Sequence, residues 1–128
     1  MRLIIAGSRD FDNYALLLRA ADQFIAQHLP LSTDNRNPAD VEIVSGCARG
    51  ADTLGERFGT ELGCVVVRMP ADWQTHGKAA GFIRNEQMAQ YGTHLLAFWD
   101  GRSRGTEHMI DAATRKGLTV KIIRYEYY

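Results

Sequence analysis

The amino-acid sequence predicts an α/β fold, a mainly parallel sheet of about five strands with helices on both faces. Three observations carry that expectation. Short apolar runs alternate with segments of helical period along the chain. The runs VVV at 65–67 and LLAFW at 95–99 are continuous, as in strands buried on both faces, rather than alternating. Three of the helical segments stop at a glycine, at Gly63, Gly92 and Gly117. Strands that alternate with helices imply right-handed crossovers, and hence a Rossmann-like three-layer fold that takes residues 1–128 as one domain.

Residues 3–6 (LIIA) form the first strand, because an apolar run this short is followed at once by the turn Gly7-Ser8-Arg9-Asp10. From 14 to 29, Leu17, Leu18, Ala21, Phe24, Ile25 and Leu29 follow a helical stripe that Asp12 or Asn13 can cap. Residues 31–40 (LSTDNRNPAD) read as a surface loop. A second strand at 41–44, a helix at 51–62 and a β-branched strand at 64–69 follow. The next helix begins at Lys78 or Ala79 and runs to Tyr91. A strand at 94–99, a helix at 106–116 and a strand at 118–125 complete the pattern.

The chain has 128 residues, 45% hydrophobic and 23% charged, enough for one domain with its own core. Lys and Arg total 15, as do Asp and Glu, and the zero net charge argues against broad electrostatic binding along a nucleic-acid backbone. Cys47 and Cys64 lack metal-type spacing and read as reduced thiols. With no secretory leader or apolar 20-mer, a cytoplasmic location without a membrane partner is expected. HExxH, P-loop, CxxC and Ser-His-Asp patterns are missing, so neither a metal nor a resident cofactor is expected.

In an open α/β sheet, ligands bind outside the carboxyl ends of the strands. The loops that leave the strands here are Gly7-Ser8-Arg9-Asp10-Phe11, then Ser45-Gly46-Cys47-Ala48-Arg49-Gly50-Ala51-Asp52. The third runs from Pro70-Ala71-Asp72-Trp73 through Gly77-Lys78-Ala79-Ala80-Gly81 to Arg84-Asn85. The fourth is Trp99-Asp100-Gly101-Arg102-Ser103-Arg104-Gly105-Thr106. The connections at the opposite edge are short glycine stops or the polar 31–40 loop, and this asymmetry marks one edge as the binding edge. Glycines let backbone approach a ligand, helix N-termini favour an anion, and Ser8, Ser45, Ser103 and Thr106 offer hydroxyl donors. Arg9, Arg49, Lys78, Arg84, Arg102 and Arg104 concentrate positive charge on that edge of a neutral chain, which suits a small phosphorylated ligand. Phe11, Trp73 and Trp99 are candidates to stack on a base, although Trp99 reads equally as core. Each single arginine also reads as an ion-paired surface residue, with Asp10, Asp52, Asp72, Asp100 and Glu107 close in sequence. His76 and His108 lack a visible partner and read as structural.

These loops together resemble the YspA-type SLOG family, from Ile4 to Val120, down to His108-Met109-Ile110 after Thr106. The resemblance implies a Rossmann-like SLOG fold that binds a nucleotide or nucleotide-derived ligand. Two related families differ in what they imply. Gly7-Ser8-Arg9 and 45–52 are similar to the DNA-processing protein A family, which binds single-stranded DNA. Arg84 and Met88, with Gly105-Thr106, resemble the Lonely Guy phosphoribohydrolases, which cleave the N-glycosidic bond of nucleoside monophosphates. Residues 99–104 replace most of that family's Pro-Gly-Gly loop, and its glutamates fall at His108 and Met109, with Glu107 beside them.

The leading expectation is therefore a module for a nucleotide or an ADP-ribose-like ligand, acting as a sensor or by sequestration. Amides of Gly7 to Asp10, Ser45 to Asp52 and Gly101 to Thr106 would hold phosphates, Arg84 and Arg104 would neutralise charge, and Asp72 or Asp100 would take ribose hydroxyls. The alternatives are an N-glycosidic hydrolase with Arg84 and Glu107 as catalytic residues, and single-stranded DNA binding. The resemblance also implies a homo-oligomer, with the aromatic tail Tyr125-Glu126-Tyr127-Tyr128 at the interface or finishing the core edge.

Overall fold

A computed structural model gives the structure of residues 1–29 and 37–126. Most of the predicted 31–40 loop lies outside the described residues, as do Tyr127 and Tyr128. In chain order the elements are β1 (Arg2–Gly7), α1 (Tyr14–His28), β2 (Glu42–Ser45), α2 (Ala51–Leu62) and β3 (Val65–Arg68). They continue with α3 (Trp73–His76), α4 (Ala80–Tyr91), β4 (His94–Trp99), α5 (Arg104–Arg115) and β5 (Thr119–Arg124), plus single 3-10 turns at Pro38–Asp40 and Gly77–Ala79. All five strands are parallel, in the order β3-β2-β1-β4-β5.

The three layers follow from alternation along the central strands. Leu3 and Ile5 of β1 with Leu96 and Phe98 of β4 pack under α1 and α2, against Leu17, Phe24 and Phe58. Ile4, Ala6, Leu95 and Ala97 face the other way, onto Met88 and Ala89 of α4 and Met109 and Ala112 of α5. Helix α2 sits unusually deep. A Cβ at Gly55 would come within 2.8 Å of Ile5, and one at Gly59 within 2.8 Å of Ile43. These glycines, one helical turn apart, let the helix backbone lie directly on β1 and β2.

Some boundaries differ from the sequence expectation for identifiable reasons. The VVV run was expected to be buried on both faces, yet Val65 is 59% exposed, because β3 ends the sheet and has β2 as its one strand neighbour. The polar stretch before α4 contains an extra helical turn, α3, whose N-cap Asp72 accepts the Thr75 N–H at 3.1 Å. Helix α5 begins two residues earlier than expected, at Arg104, because Ser103 caps it and accepts the Thr106 N–H. Of the two cap candidates for α1, Asn13 is used, with Oδ1 accepting the Leu16 N–H at 3.0 Å.

The strand order positions the site. After β3 the chain crosses β1 to lay down β4, so β1 leads to α1 on one face while β4 leads to α5 on the other. Their carboxyl ends part there and leave a crevice. No helix among the described residues is long and apolar enough to cross a membrane.

Candidate functional site

The crevice is a cavity of about 200 Å³ on the α4–α5 face. Ala6 and Gly7 at the end of β1 form its floor with Met88 and Met109, and Ser103, Gly105 and Thr106 bring in the start of α5. It adjoins a more open lobe of about 380 Å³, lined by Gly46, Cys47, Arg49 and Pro70. Arg9, Ala48, Trp73 and Arg84 belong to both.

Arg84 stands at the junction. Its guanidinium donates through Nη1 to the Gly46 carbonyl and through Nε to Asn85 Oδ1 at 3.0 Å. A Cβ on Gly46 would lie 2.7 Å from that guanidinium and 2.8 Å from Asp52, so only glycine lets the loop come this close. Asn85, 5% exposed, passes the connection on: its Nδ2 donates to the Gly105 carbonyl at 3.2 Å and lies 3.2 Å from His108 Nδ1. The pair Arg84-Asn85 thus ties the β2–α2 loop to the first turn of α5. Burial lowers the Arg84 pKa and Asp52 pulls it back, but a guanidinium stays charged at any physiological pH.

Asp52 is the one carboxylate among the described residues that line either lobe. It is 5% exposed and accepts the Ala48 N–H at 3.3 Å. Burial pushes its pKa up to about 6, against the opposing pull of the Ala48 amide and Arg84. Ser45 holds the loop above it: its hydroxyl donates to Glu56 at 2.7 Å and accepts the Cys47 N–H at 3.0 Å. Within that loop Cys47 takes a φ of 68° and Gly50 one of 78°.

At the start of α5, the first-turn N–H groups of Arg104 and Gly105 precede the first residue that can bond within the helix. A side chain at Gly105 would meet nothing within 4 Å, so the space beside the first turn of α5 is open. Four cations, Arg9, Arg49, Lys78 and Arg84, edge the two lobes against one carboxylate of raised pKa. The arrangement can attract an anion and meet it with backbone amides and a held guanidinium. Among the described residues no three His, Cys, Asp or Glu side chains gather as a metal set.

Of the sequence candidates, Gly7, Arg9, Asp52, Trp73, Lys78, Arg84, Asn85, Ser103, Gly105 and Thr106 line the first lobe, and Gly46 and Arg49 the second. Others lie beside the lobes and are engaged elsewhere. Ser8 is buried and its hydroxyl accepts the Asp100 N–H at 3.4 Å. Ser45 buttresses its own loop, Asp72 caps α3, and a Cβ on Gly50 would overlap the Ser8 carbonyl. Asp100 and Gly101 line a separate hollow, and Arg104 and Glu107 are exposed outside both lobes. Phe11 is core, stacked on Phe98 at 4.7 Å, so it is closed to a base. Trp99 donates its indole N–H to the Ser103 carbonyl at 3.1 Å and fixes the loop before α5. Among the lining residues that sequence reasoning did not count as site candidates, beside Ala6, Met88 and Met109 of the floor, is Phe82, 48% exposed. Its signal is an aromatic residue set well around α4 from the buried Ala80 and Met88.

The model of the YspA, cpYpsA-related SLOG family matches residues 1–76, which hold the loops after β1 and β2 and Trp73. The Gene 61 protein of Mycobacterium phage D29 is 34% identical over 125 residues, 93% of this chain and 93% of that protein. No solved structure matches.

Proposed function

The chain belongs to the YspA, cpYpsA-related SLOG family, and from that premise we propose that it binds a nucleotide or nucleotide-derived ligand, ADP-ribose-like molecules included, as a sensor or sequestering module. Membership makes it a nucleotide-related Rossmann-like module. One observation carries the rest: Arg84, Lys78, Arg9 and the open first turn of α5 meet at a single cleft on the strand-order switch point. In this reading the amide of Gly105 and the guanidinium of Arg84 take a phosphate, while Ser103, Thr106 and Asp52 take sugar hydroxyls. Asp72, which accepts the Thr75 amide, and Asp100, which accepts the Ser103 amide, are left their structural roles.

The test is a thermal-shift panel of nucleoside phosphates, NAD, ADP-ribose and cyclic dinucleotides, with mass spectrometry of each mixture. A ligand at a hundredfold excess over its Kd stabilises the folded chain by about 2.7 kcal/mol. Arg9 and Lys78 are exposed, so Arg9→Ala with Lys78→Ala leaves the fold intact and weakens binding by about tenfold to a hundredfold. An unchanged affinity in that double variant removes the site assignment. Silence across the panel removes the functional reading and directs attention to single-stranded DNA.

A second reading, N-glycosidic hydrolysis, has Asp52 in its favour. A carboxylate held dry in the cleft with a pKa near 6 suits general acid–base chemistry better than the exposed Glu107. Free base in the mixtures, lost in Asp52→Asn, would establish it; intact ligand throughout would dismiss it.

A further inference from the structure

We infer that Trp73 and Phe82 form a stacking subsite for a planar heteroaromatic ring, so that the cleft selects base-bearing phosphates over plain sugar phosphates. The inference rests on the binding function proposed above and names the ligand chemistry of the same site. Five large apolar side chains are exposed among the described residues: Leu18, Val65, Trp73, Phe82 and Ile122. The two that are aromatic both line the same cavity, and they come from one short stretch of chain. Trp73 is 54% exposed and Phe82 48%, so each leaves a large apolar area in water that a ring laid on it would cover.

Their settings favour a platform over loose surface residues. The indole of Trp73 reaches across Gly81, its Cη2 lying 3.6 Å from where a Cβ would stand there. Phe82 is the next residue in α4, and both side chains line the same cavity. The Phe82 ring is backed by His108, with centroids 4.4 Å apart and planes 30° from parallel. His108 is itself fixed by Asn85 on one nitrogen and lies 3.7 Å from Glu86 on the other. The same Asn85 bonds the Arg84 guanidinium, so the phosphate side and the aromatic side of the cleft share one support. The other aromatic candidates are occupied, Phe11 within the core and Trp99 on the Ser103 carbonyl.

The experiment compares AMP and GMP with ribose 5-phosphate on the wild type, Trp73→Ala and Phe82→Ala. Calorimetry gives affinity, tryptophan fluorescence reports stacking, and circular dichroism checks the fold. The expected result is quenching by the nucleotides but not by ribose 5-phosphate. Each substitution should weaken nucleotide binding about tenfold and leave ribose 5-phosphate unchanged. Equal losses for both kinds of probe, or no loss for either, overturn the subsite while the binding function stands. Failure of these probes and of the whole panel above to bind the wild type overturns the subsite and the binding function together.

Discussion

Two hollows open at the same edge of the sheet, and the loops after β1 and β4 contribute to both. The β1–α1 loop gives Arg9 to the cleft on the α4–α5 face and Asp10 to a polar hollow of about 430 Å³ beside β5. The β4–α5 loop likewise gives Ser103 to the first and Asp100 to the second. In the second hollow, opposite charges and hydrogen-bonding groups answer one another. Tyr125 donates its hydroxyl to Asp10 at 2.8 Å, Asp100 accepts the amides of Arg102 and Ser103 at 2.8 Å, and Arg124 lies over Trp99. In the first, cations outnumber the single carboxylate and the start of α5 is open. Gly, Arg and Asp serve both hollows, so residue type alone does not identify a site; charge left unanswered by its neighbours does.

The largest effect should come from breaking the element the two hollows share. Gly50 has a φ of 78°, and a Cβ there would overlap the Ser8 carbonyl and the Arg9 backbone, the turn from which both Arg9 and Asp10 project. Gly50→Val adds backbone strain to a steric clash, and the two together cost about 4 kcal/mol. Urea denaturation should show that loss, together with loss of ligand binding. A valine variant of wild-type stability would mean that the turn does not depend on Gly50.

Acid titration separates the hollows by sign. Burial raises Asp52 from the ordinary 3.8 to about 6. Between about pH 4 and 6 the folded chain therefore holds a proton that the unfolded chain has released, so this group's contribution to stability grows as pH falls through that window. The full gain is on the order of 3 kcal/mol. At Asp100 burial also pushes upward, but the amides of Ser103 and Arg102 and the Ser8 hydroxyl outweigh it and hold the pKa below its usual value. Its contribution is present above the ordinary carboxylate pKa and is lost as pH falls through its lowered one. Urea midpoints from pH 7.5 to 4.5 should therefore show Asp52→Asn missing a gain that the wild type makes. Parallel curves for the two proteins would refute the buried, raised Asp52.

Most of the layered fold was legible because the strands advertise their burial: LIIA and LLAFW stay apolar on both faces, and glycines close the helices. Strand order was not legible at this level, since parallel pairing is set by long-range contacts that leave little local pattern. This is why VVV read as interior although β3 is an edge. The binding edge was legible from its Gly, Ser and Arg content, but the division of labour along it was not. Ser8 and Ser45 look like phosphate donors in sequence, yet their hydroxyls serve Asp100 and the Cys47 amide, partners that only folding brings into place. Phe82 was overlooked for the opposite reason, because a lone aromatic residue in a helix reads as core until the helix face is known.

The smallest effect tests the second hollow. Tyr125 donates to Asp10, and its phenol pKa is raised first by burial and then by that carboxylate, so the hydroxyl keeps its proton throughout the neutral range. Its ring packs edge-on against Phe11, with centroids 4.9 Å apart, a contact that phenylalanine preserves. Tyr125→Phe therefore removes the phenol's hydrogen bonds to Asp10 and Ser8 while keeping the ring, and should lower stability by about 1 to 2 kcal/mol. Because Tyr125 lines only the second hollow, affinity for any ligand of the first should be unchanged in this variant. A loss of affinity well beyond what so small a destabilisation explains would mean that the two hollows act as one site, with the β1–α1 turn as the link between them.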